Sequence, residues 1–100
     1  MEKYSQSQID DVLTSLTEWS LQDEKWIVRK FRFQAYMDGI QFVNQVADLA
    51  ERMNHHPMIA IDFKMVSIRL TSWKSAGITD LDIEQARGID KLFTKNTIQS

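Results

Sequence analysis

The spacing of hydrophobic residues changes several times along the chain, and each spacing predicts a different kind of secondary structure. In the first part they recur every three or four positions, as on one face of a helix, at Ile9, Val12, Leu13, Leu16 and Trp19. Ser7 or a near neighbour can cap this helix. Residues 26–33 are rich in β-branched and aromatic side chains and end in strict alternation, which predicts a strand. A polar connection at residues 22–25 predicts a hairpin with a short extended stretch that begins at Trp19.

The same succession of patterns then repeats. From about Ala35 to the histidines at 55 and 56, a broad apolar stripe predicts a long helix, with members at Tyr36, Ile40, Val43, Val46, Ala47, Leu49, Ala50 and Met53. Residues 59–63 and 66–70 alternate with a period of two, so we expect two strands joined by a tight turn near Lys64 and Met65. Thr79 is a candidate N-cap of a last helix, with Asp82 in the capping-box position. Residues 94–100 are polar and predict a frayed tail.

The predicted order is helix, two strands, helix, two strands, helix. This order, α-β-β-α-β-β-α, favours an α+β fold in which a four-stranded, largely antiparallel sheet carries three helices on one face. A length of 100 residues is that of a single domain, spanning 1–100. Such a sheet has edges to protect, and pairing of edges between subunits is one way to do so.

Composition and charge narrow the classes of function. The net charge is -2 and basic residues are interspersed with acidic ones, so we expect no direct binding of nucleic acid. The absence of cysteine excludes disulfides and thiolate metal sites and fits a reducing compartment. The first residues lack the apolar core of a signal peptide, and no apolar run is long enough to span a bilayer. We therefore expect a cytoplasmic protein without a membrane segment.

The stretch from Glu51 to Pro57 holds both histidines and the one proline of the chain. Proline disfavours the helical conformation for the residue before it, so His56 should be extended while His55 can belong to the last helical turn. The two imidazoles should therefore point in different directions. Carbonyls at a helix end carry partial negative charge, and histidine exchanges protons near neutral pH, so this pair is a candidate for proton transfer. A polar helix stop on the surface is the alternative interpretation.

An ordered set of residues carries a specific resemblance. Glu51, His55-His56-Pro57, Phe63, Trp73 and Asp82, in this spacing and on these elements, resemble the signature of the pterin-4a-carbinolamine dehydratases. The likeness covers nearly the whole chain. It implies a hydro-lyase that dehydrates 4a-hydroxytetrahydropterin to quinonoid dihydropterin in pterin cofactor recycling, with no metal and no organic cofactor. It also implies a homodimer or homotetramer.

The resemblance implies roles for individual residues. His55 and His56 would be the catalytic proton-transfer pair, and the sequence does not assign which is acid and which is base. Glu51 lies one helical turn before His55 and would orient an imidazole, or it is simply a solvated helix residue.

The substrate would be bound by Pro57, Phe63, Trp73 and Asp82. Phe63 and Trp73 would form apolar walls for the flat pterin, although Phe63 could equally pack in the core. Asp82 could contact the substrate, hold the loop or cap the last helix. Many family members have a third histidine where this chain has Trp73, and an indole N–H donates a hydrogen bond but does not exchange a proton near neutral pH.

Two other hypotheses remain open from the sequence. One is a non-catalytic dimerisation or interaction protein built on the same fold. The other is a metal site on Glu51 and His55, which lacks the third ligand of the usual catalytic zinc set.

Overall fold

The computed structural model describes the backbone of residues 1–99 and the side chains of residues 1–95. It confirms the predicted order of elements. The helices are α1 (Gln6–Leu13), α2 (Tyr36–Met53) and α3 (Asp80–Gln99), the strands are β1 (Ser20–Gln22), β2 (Trp26–Arg32), β3 (Met58–Asp62) and β4 (Met65–Leu70), and a short 3-10 helix spans Trp73–Ser75. The fold is therefore α+β, as the hydrophobic patterns predicted.

The first helix is shorter than its hydrophobic pattern predicted. Ser5, not Ser7, caps it, in a capping box with Gln8. The helix ends at Leu13 because the hydroxyls of Thr14 and Ser15 donate to the carbonyls three residues back, and the backbone tightens into bonds of the same spacing. Leu16 and Trp19 lie beyond the end of the helix, but both are buried in the core. Their helix-like spacing in the sequence therefore reflects burial and not helical structure.

The four strands form one antiparallel sheet in the order β1-β2-β4-β3. The β3–β4 turn consists of Phe63 and Lys64, one residue earlier than predicted, because Asp62 pairs with Met65. Phe63 has a φ of 51°, a left-handed conformation that is uncommon for a bulky residue. Of the described strands, β3 pairs only with β4, so its outer edge is open.

The core lies between the sheet and the helices. Inward-facing strand residues pack with apolar residues of the helices, chief among them Ile27, Phe31, Phe42, Val46, Val66, Ile68, Leu70, Ile83 and Ile89. The opposite sheet face carries more polar side chains, including Lys30, Arg32, Ser67 and Arg69, as the alternation predicted. In this arrangement the C-terminal ends of α2 and β4 lie close to the start of α3.

The last helix begins as predicted and extends further than predicted. Thr79 caps it, since its hydroxyl accepts from the backbone N–H of Leu81 and its own N–H donates to the carboxylate of Asp82. The segment expected to be a frayed tail, residues 94–100, is helical as far as Gln99, and Ser100 lies outside the described residues. Among the described residues, no helix is long and apolar enough to cross a membrane.

Candidate functional site

The two histidines lie just beyond the end of α2. Asn54 takes a left-handed conformation after Met53 and closes the helix, with its N–H directed to the carbonyls of Ala50 and Glu51. His55 therefore follows the last turn and does not belong to it, contrary to expectation, although its N–H still donates to the Ala50 carbonyl. The backbone then turns into β3 through Pro57.

His55 is held by a buried carboxylate. Its Nε2 lies 2.6 Å from Oδ1 of Asp82, which is fully buried, while the side chain of His55 keeps 12% of its surface exposed. The second oxygen of Asp82 accepts from the Ser72 hydroxyl at 2.8 Å and from the Thr79 N–H at 2.9 Å. Three donors thus converge on Asp82, which lies behind His55 and presents no surface to a substrate.

His56 is held by a carboxylate of a different kind. Its Nε2 lies 2.5 Å from Oε2 of Glu51, but the two side chains are 57% and 75% exposed. Solvent screens such a pair, and exposed ion pairs contribute little to stability. Glu51 was expected to orient an imidazole one turn away, and it contacts His56 instead of His55.

The two contacts leave the same ring nitrogen free in both histidines. An ionised carboxylate can accept hydrogen bonds but cannot donate them, so the Nε2 atoms of His55 and His56 are the donors. In the neutral ring Nδ1 is then an acceptor, and in the protonated ring it is a donor. Each imidazole can therefore take up or give a proton at Nδ1 while its carboxylate holds the ring.

Both histidines line one pocket of about 520 Å³. Trp73 forms part of its wall, with 69% of its surface exposed and its ring set edge to face on Trp26 at a centroid distance of 5.1 Å. The remaining lining comes from the N-terminus, the C-cap of α2, the segment between β4 and α3, and the first turn of α3: Met1, Asn54, Thr71, Ser72, Lys74, Ser75, Thr79 and Leu81. The size and the mixed polar and apolar lining suit a small ligand with both kinds of surface.

Two predicted binding residues lie away from this lining. Phe63 is at the β3–β4 turn, 66% exposed, where its ring stacks on Tyr36 and Lys64 lies over it. It is therefore neither a core residue nor a wall of the described pocket. Pro57 is partly buried between His56 and β3 and is not among the lining residues. Binding roles for these two residues stay predictions.

The carboxylates and histidines form two separate pairs rather than a metal cluster. Glu51 pairs with His56, and His55 pairs with Asp82. Within the part of the chain whose side chains are described, no three histidine or acidic side chains come together in a way that could hold a metal ion.

Sequence reasoning missed several contributors to this site. Ser72 gave no signal, because a serine after a strand is common, and its role comes from a contact with Asp82 ten residues later. Gln85, one turn beyond Asp82, donates through Nε2 to the carbonyl of His55 at 2.6 Å. Its position on the helical stripe facing α2 was the available signal. Met1 could not be found from any local pattern.

Comparison with known proteins bears on this arrangement. Residues 2–92 match the family model described as pterin 4 alpha carbinolamine dehydratase. A protein of Sulfurisphaera tokodaii, provisionally named a pterin-4-alpha-carbinolamine dehydratase, is 37% identical over 94% of this chain and 100% of its own length. A protein of Chloroflexus aggregans with the same provisional name is 38% identical over 93% of this chain and 99% of its own.

Two solved structures are similar in fold. A transcriptional coactivator/pterin dehydratase from Brucella melitensis superposes with a TM-score of 0.88 at 27% identity, covering 92% of this chain and 99% of that one. A pterin dehydratase-like protein, identified as a RuBisCO assembly factor in the alpha-carboxysome, gives a TM-score of 0.66 at 22% identity over 75% of this chain and 88% of its own. The second likeness concerns the fold alone.

Proposed function

The chain belongs to the pterin 4 alpha carbinolamine dehydratase family, and from this premise we propose that it dehydrates a 4a-hydroxytetrahydropterin to the quinonoid dihydropterin. The substrate lies in the pocket beside Trp73, and His55 and His56 carry the proton transfers. The observation that supports this proposal is the pair of imidazoles on one pocket, each bound through Nε2 to a carboxylate and each with Nδ1 left for the substrate.

The reaction needs two proton transfers and one bond cleavage. The C4a–O bond breaks with its electron pair leaving on oxygen, which takes a proton and departs as water. The electrons of the N5–H bond form the N5=C4a double bond as that proton is removed. One group gives a proton and another accepts one, which is general acid-base catalysis. Two imidazoles with Nδ1 available satisfy both requirements.

The two histidines differ in their surroundings, and this difference guides their roles. His55 is nearly buried against a fixed carboxylate, so its ring keeps one orientation while it gains and loses a proton. The side chains of His56 and Glu51 are 57% and 75% exposed, so this pair is in contact with water. Glu51 therefore orients His56, and Asp82 positions His55 without touching the substrate. Trp73 offers an apolar face to the pterin ring.

The working form of the protein in this proposal is a cytoplasmic homo-oligomer that serves pterin recycling. Exposed apolar side chains lie on β3, at its turn and at the start of α2, where the Tyr36 ring stacks on Phe63: Met58, Ile61, Phe63, Tyr36 and Met37. An open strand edge flanked by apolar side chains is a surface that a second copy can cover. The same surface supports the second candidate, a non-catalytic interaction protein. The name of the Brucella melitensis structure pairs a coactivator role with pterin dehydratase and so gives a precedent for protein interaction on this fold.

One experiment separates the two candidates. The decay of a freshly generated 4a-hydroxytetrahydropterin is followed by absorbance without protein, with the wild type and with the His55→Ala/His56→Ala double variant. We expect the wild type to accelerate the decay. The rate with the double variant should be lower by a factor of roughly 10² to 10⁴. Circular dichroism should show the same fold for both. A wild-type rate equal to the spontaneous one would favour the interaction protein.

A further inference from the structure

The first four residues are bound to the loop that carries the pocket. The N–H of Tyr4 donates to the carbonyl of Ile78 at 2.6 Å, and its hydroxyl donates to Oδ1 of Asp80 at 2.5 Å. The hydroxyl of Ser75 donates to the carbonyl of Met1. The N-terminal segment, residues 1–4, is therefore attached at both of its ends to the segment between β4 and α3.

The contact is close because residue 77 is a glycine. A Cβ atom at Gly77 would lie 3.1 Å from Cδ of Lys3 and 3.4 Å from its Cβ. The aliphatic stem of Lys3 thus rests directly on the loop backbone. The ring of Tyr4 also packs against the core, which fixes the position of the segment just before α1 begins.

Met1 is the part of this segment that reaches the site. It lines the same pocket as His55, His56 and Trp73, and its side chain is exposed. Met1 and Trp73 are large apolar side chains left open to solvent at the pocket, and a flat heteroaromatic ligand would remove apolar surface of both from water. A thioether adapts its shape to such a ring and contacts its edge favourably.

We propose that the N-terminal segment is a wall of the pterin pocket, with Met1 contacting the bicyclic ring and with Tyr4 and Ser75 as the positioning residues that hold the wall in place. This inference rests on the proposed dehydratase function. It concerns binding and not proton transfer, because a thioether has no proton to exchange and the hydroxyls of Tyr4 and Ser75 donate to Asp80 and to the Met1 carbonyl. Loss of the wall should therefore weaken substrate binding and leave the chemical step nearly unchanged.

The first test releases the wall without disturbing the core. Tyr4→Phe keeps the packed ring and removes only the hydroxyl, and Ser75→Ala removes the bond to Met1. We expect the double variant to raise KM, and the Kd for 7,8-dihydrobiopterin measured by calorimetry, about threefold to tenfold, the range for loss of such hydrogen bonds. Its kcat should stay within about twofold of the wild type. Tyr36→Phe/Ser7→Ala is the matched control, with the same chemical changes on α2 and α1.

The second test restores the wall by a cross-link. The chain has no cysteine. The Cβ of Lys3 lies 3.4 Å from the position of a Cβ at residue 77, which is near the Cβ–Cβ distance of about 3.5–4.5 Å in disulfides. Lys3→Cys and Gly77→Cys are added to the Tyr4→Phe/Ser75→Ala variant, which is assayed reduced and oxidised. We expect oxidation to return KM and Kd to within about twofold of the wild-type values.

The outcomes separate this inference from the proposed function. If the wild type neither accelerates the decay nor binds 7,8-dihydrobiopterin, the proposed function fails and the wall loses its substrate. If the wild type is active and KM and Kd are the same in wild type, released and cross-linked proteins, the proposed function stands and the wall is overturned. A fall in kcat without a change in Kd overturns it as well.

Discussion

The Nε2 atom of His55 lies 2.6 Å from a carboxylate oxygen of Asp82, a residue 27 positions later in the chain. Asp82 is at the start of α3, where it also accepts the N–H of Thr79. A single carboxylate thus caps a helix and orients a candidate catalytic ring. The N-terminal end of α3 and the orientation of His55 therefore depend on the same residue.

Asp82→Asn should lower both stability and activity. An asparagine has one acceptor oxygen and one donor group, so it cannot serve the three donors that converge on Asp82. We expect a loss of about 1–3 kcal/mol in the free energy of unfolding. We also expect a fall in kcat of at least about tenfold, because the ring loses the carboxylate that fixes its orientation and tautomer. Urea unfolding and steady-state kinetics measure the two effects. Asp48→Asn on α2 is the control, and an unchanged kcat in Asp82→Asn would contradict the positioning role.

Glu51→Gln should have a much smaller effect than Asp82→Asn. The Glu51–His56 pair is largely exposed, and pairs of that kind contribute about 0.2–1 kcal/mol. Glutamine can still accept a hydrogen bond from Nε2 of His56, so the ring orientation is retained. We expect a fall in kcat of less than about tenfold and nearly unchanged thermal unfolding. A loss as large as that of His56→Ala would mean that Glu51 itself exchanges a proton.

The elements of the fold could be predicted from hydrophobic spacing, because that spacing is set by which side faces the core. The end of α1 could not be predicted, because it depends on the hydroxyls of Thr14 and Ser15, which donate to backbone carbonyls three residues earlier. The histidine pair was visible locally through Pro57. The pairing of each histidine with its carboxylate was not visible, because a left-handed Asn54 closes α2 before His55 and the partner of His55 is Asp82, 27 positions later.

Trp73→His should increase activity if imidazole chemistry limits the rate. Trp73 lies on the pocket with both histidines, at the position where the family resemblance places a third one. A histidine there adds an acid-base group but gives up the apolar face and the contact with Trp26. We therefore expect a higher kcat together with a higher KM, read from initial rates of 4a-hydroxytetrahydropterin decay. Trp73→Phe is the control that keeps an aromatic face, and equal kcat values for the two variants would show that two histidines suffice.

The hydroxyl of Tyr4 should titrate at high pH in a way that reports its contact with Asp80. The hydrogen bond to the Asp80 carboxylate, together with burial, raises the pKa of Tyr4 above its ordinary value of 10.0. Because the folded-state pKa is raised, the stabilisation is complete below pH 10.0 and is lost as the pH rises through the folded-state pKa. The Cζ chemical shift of labelled tyrosine follows this titration, with Tyr36→Phe providing the assignment. Asp80→Asn should move the midpoint down toward 10.0, and an unmoved midpoint would show that the carboxylate is not the cause.

Ile61→Lys should shift the protein toward the monomer if copies pair along β3. Ile61 is exposed on the open edge strand, which also carries Met58, and lies two residues before Phe63 at the turn. A lysine on such an edge opposes strand pairing, because a second copy would have to bury its charge. Light scattering after size exclusion should give the wild type a mass that is a multiple of 11.7 kDa and the variant a mass near 11.7 kDa. Ser7→Lys on α1 adds the same charge elsewhere and should leave the mass unchanged. A wild-type mass of 11.7 kDa at micromolar concentration would contradict pairing of copies along β3.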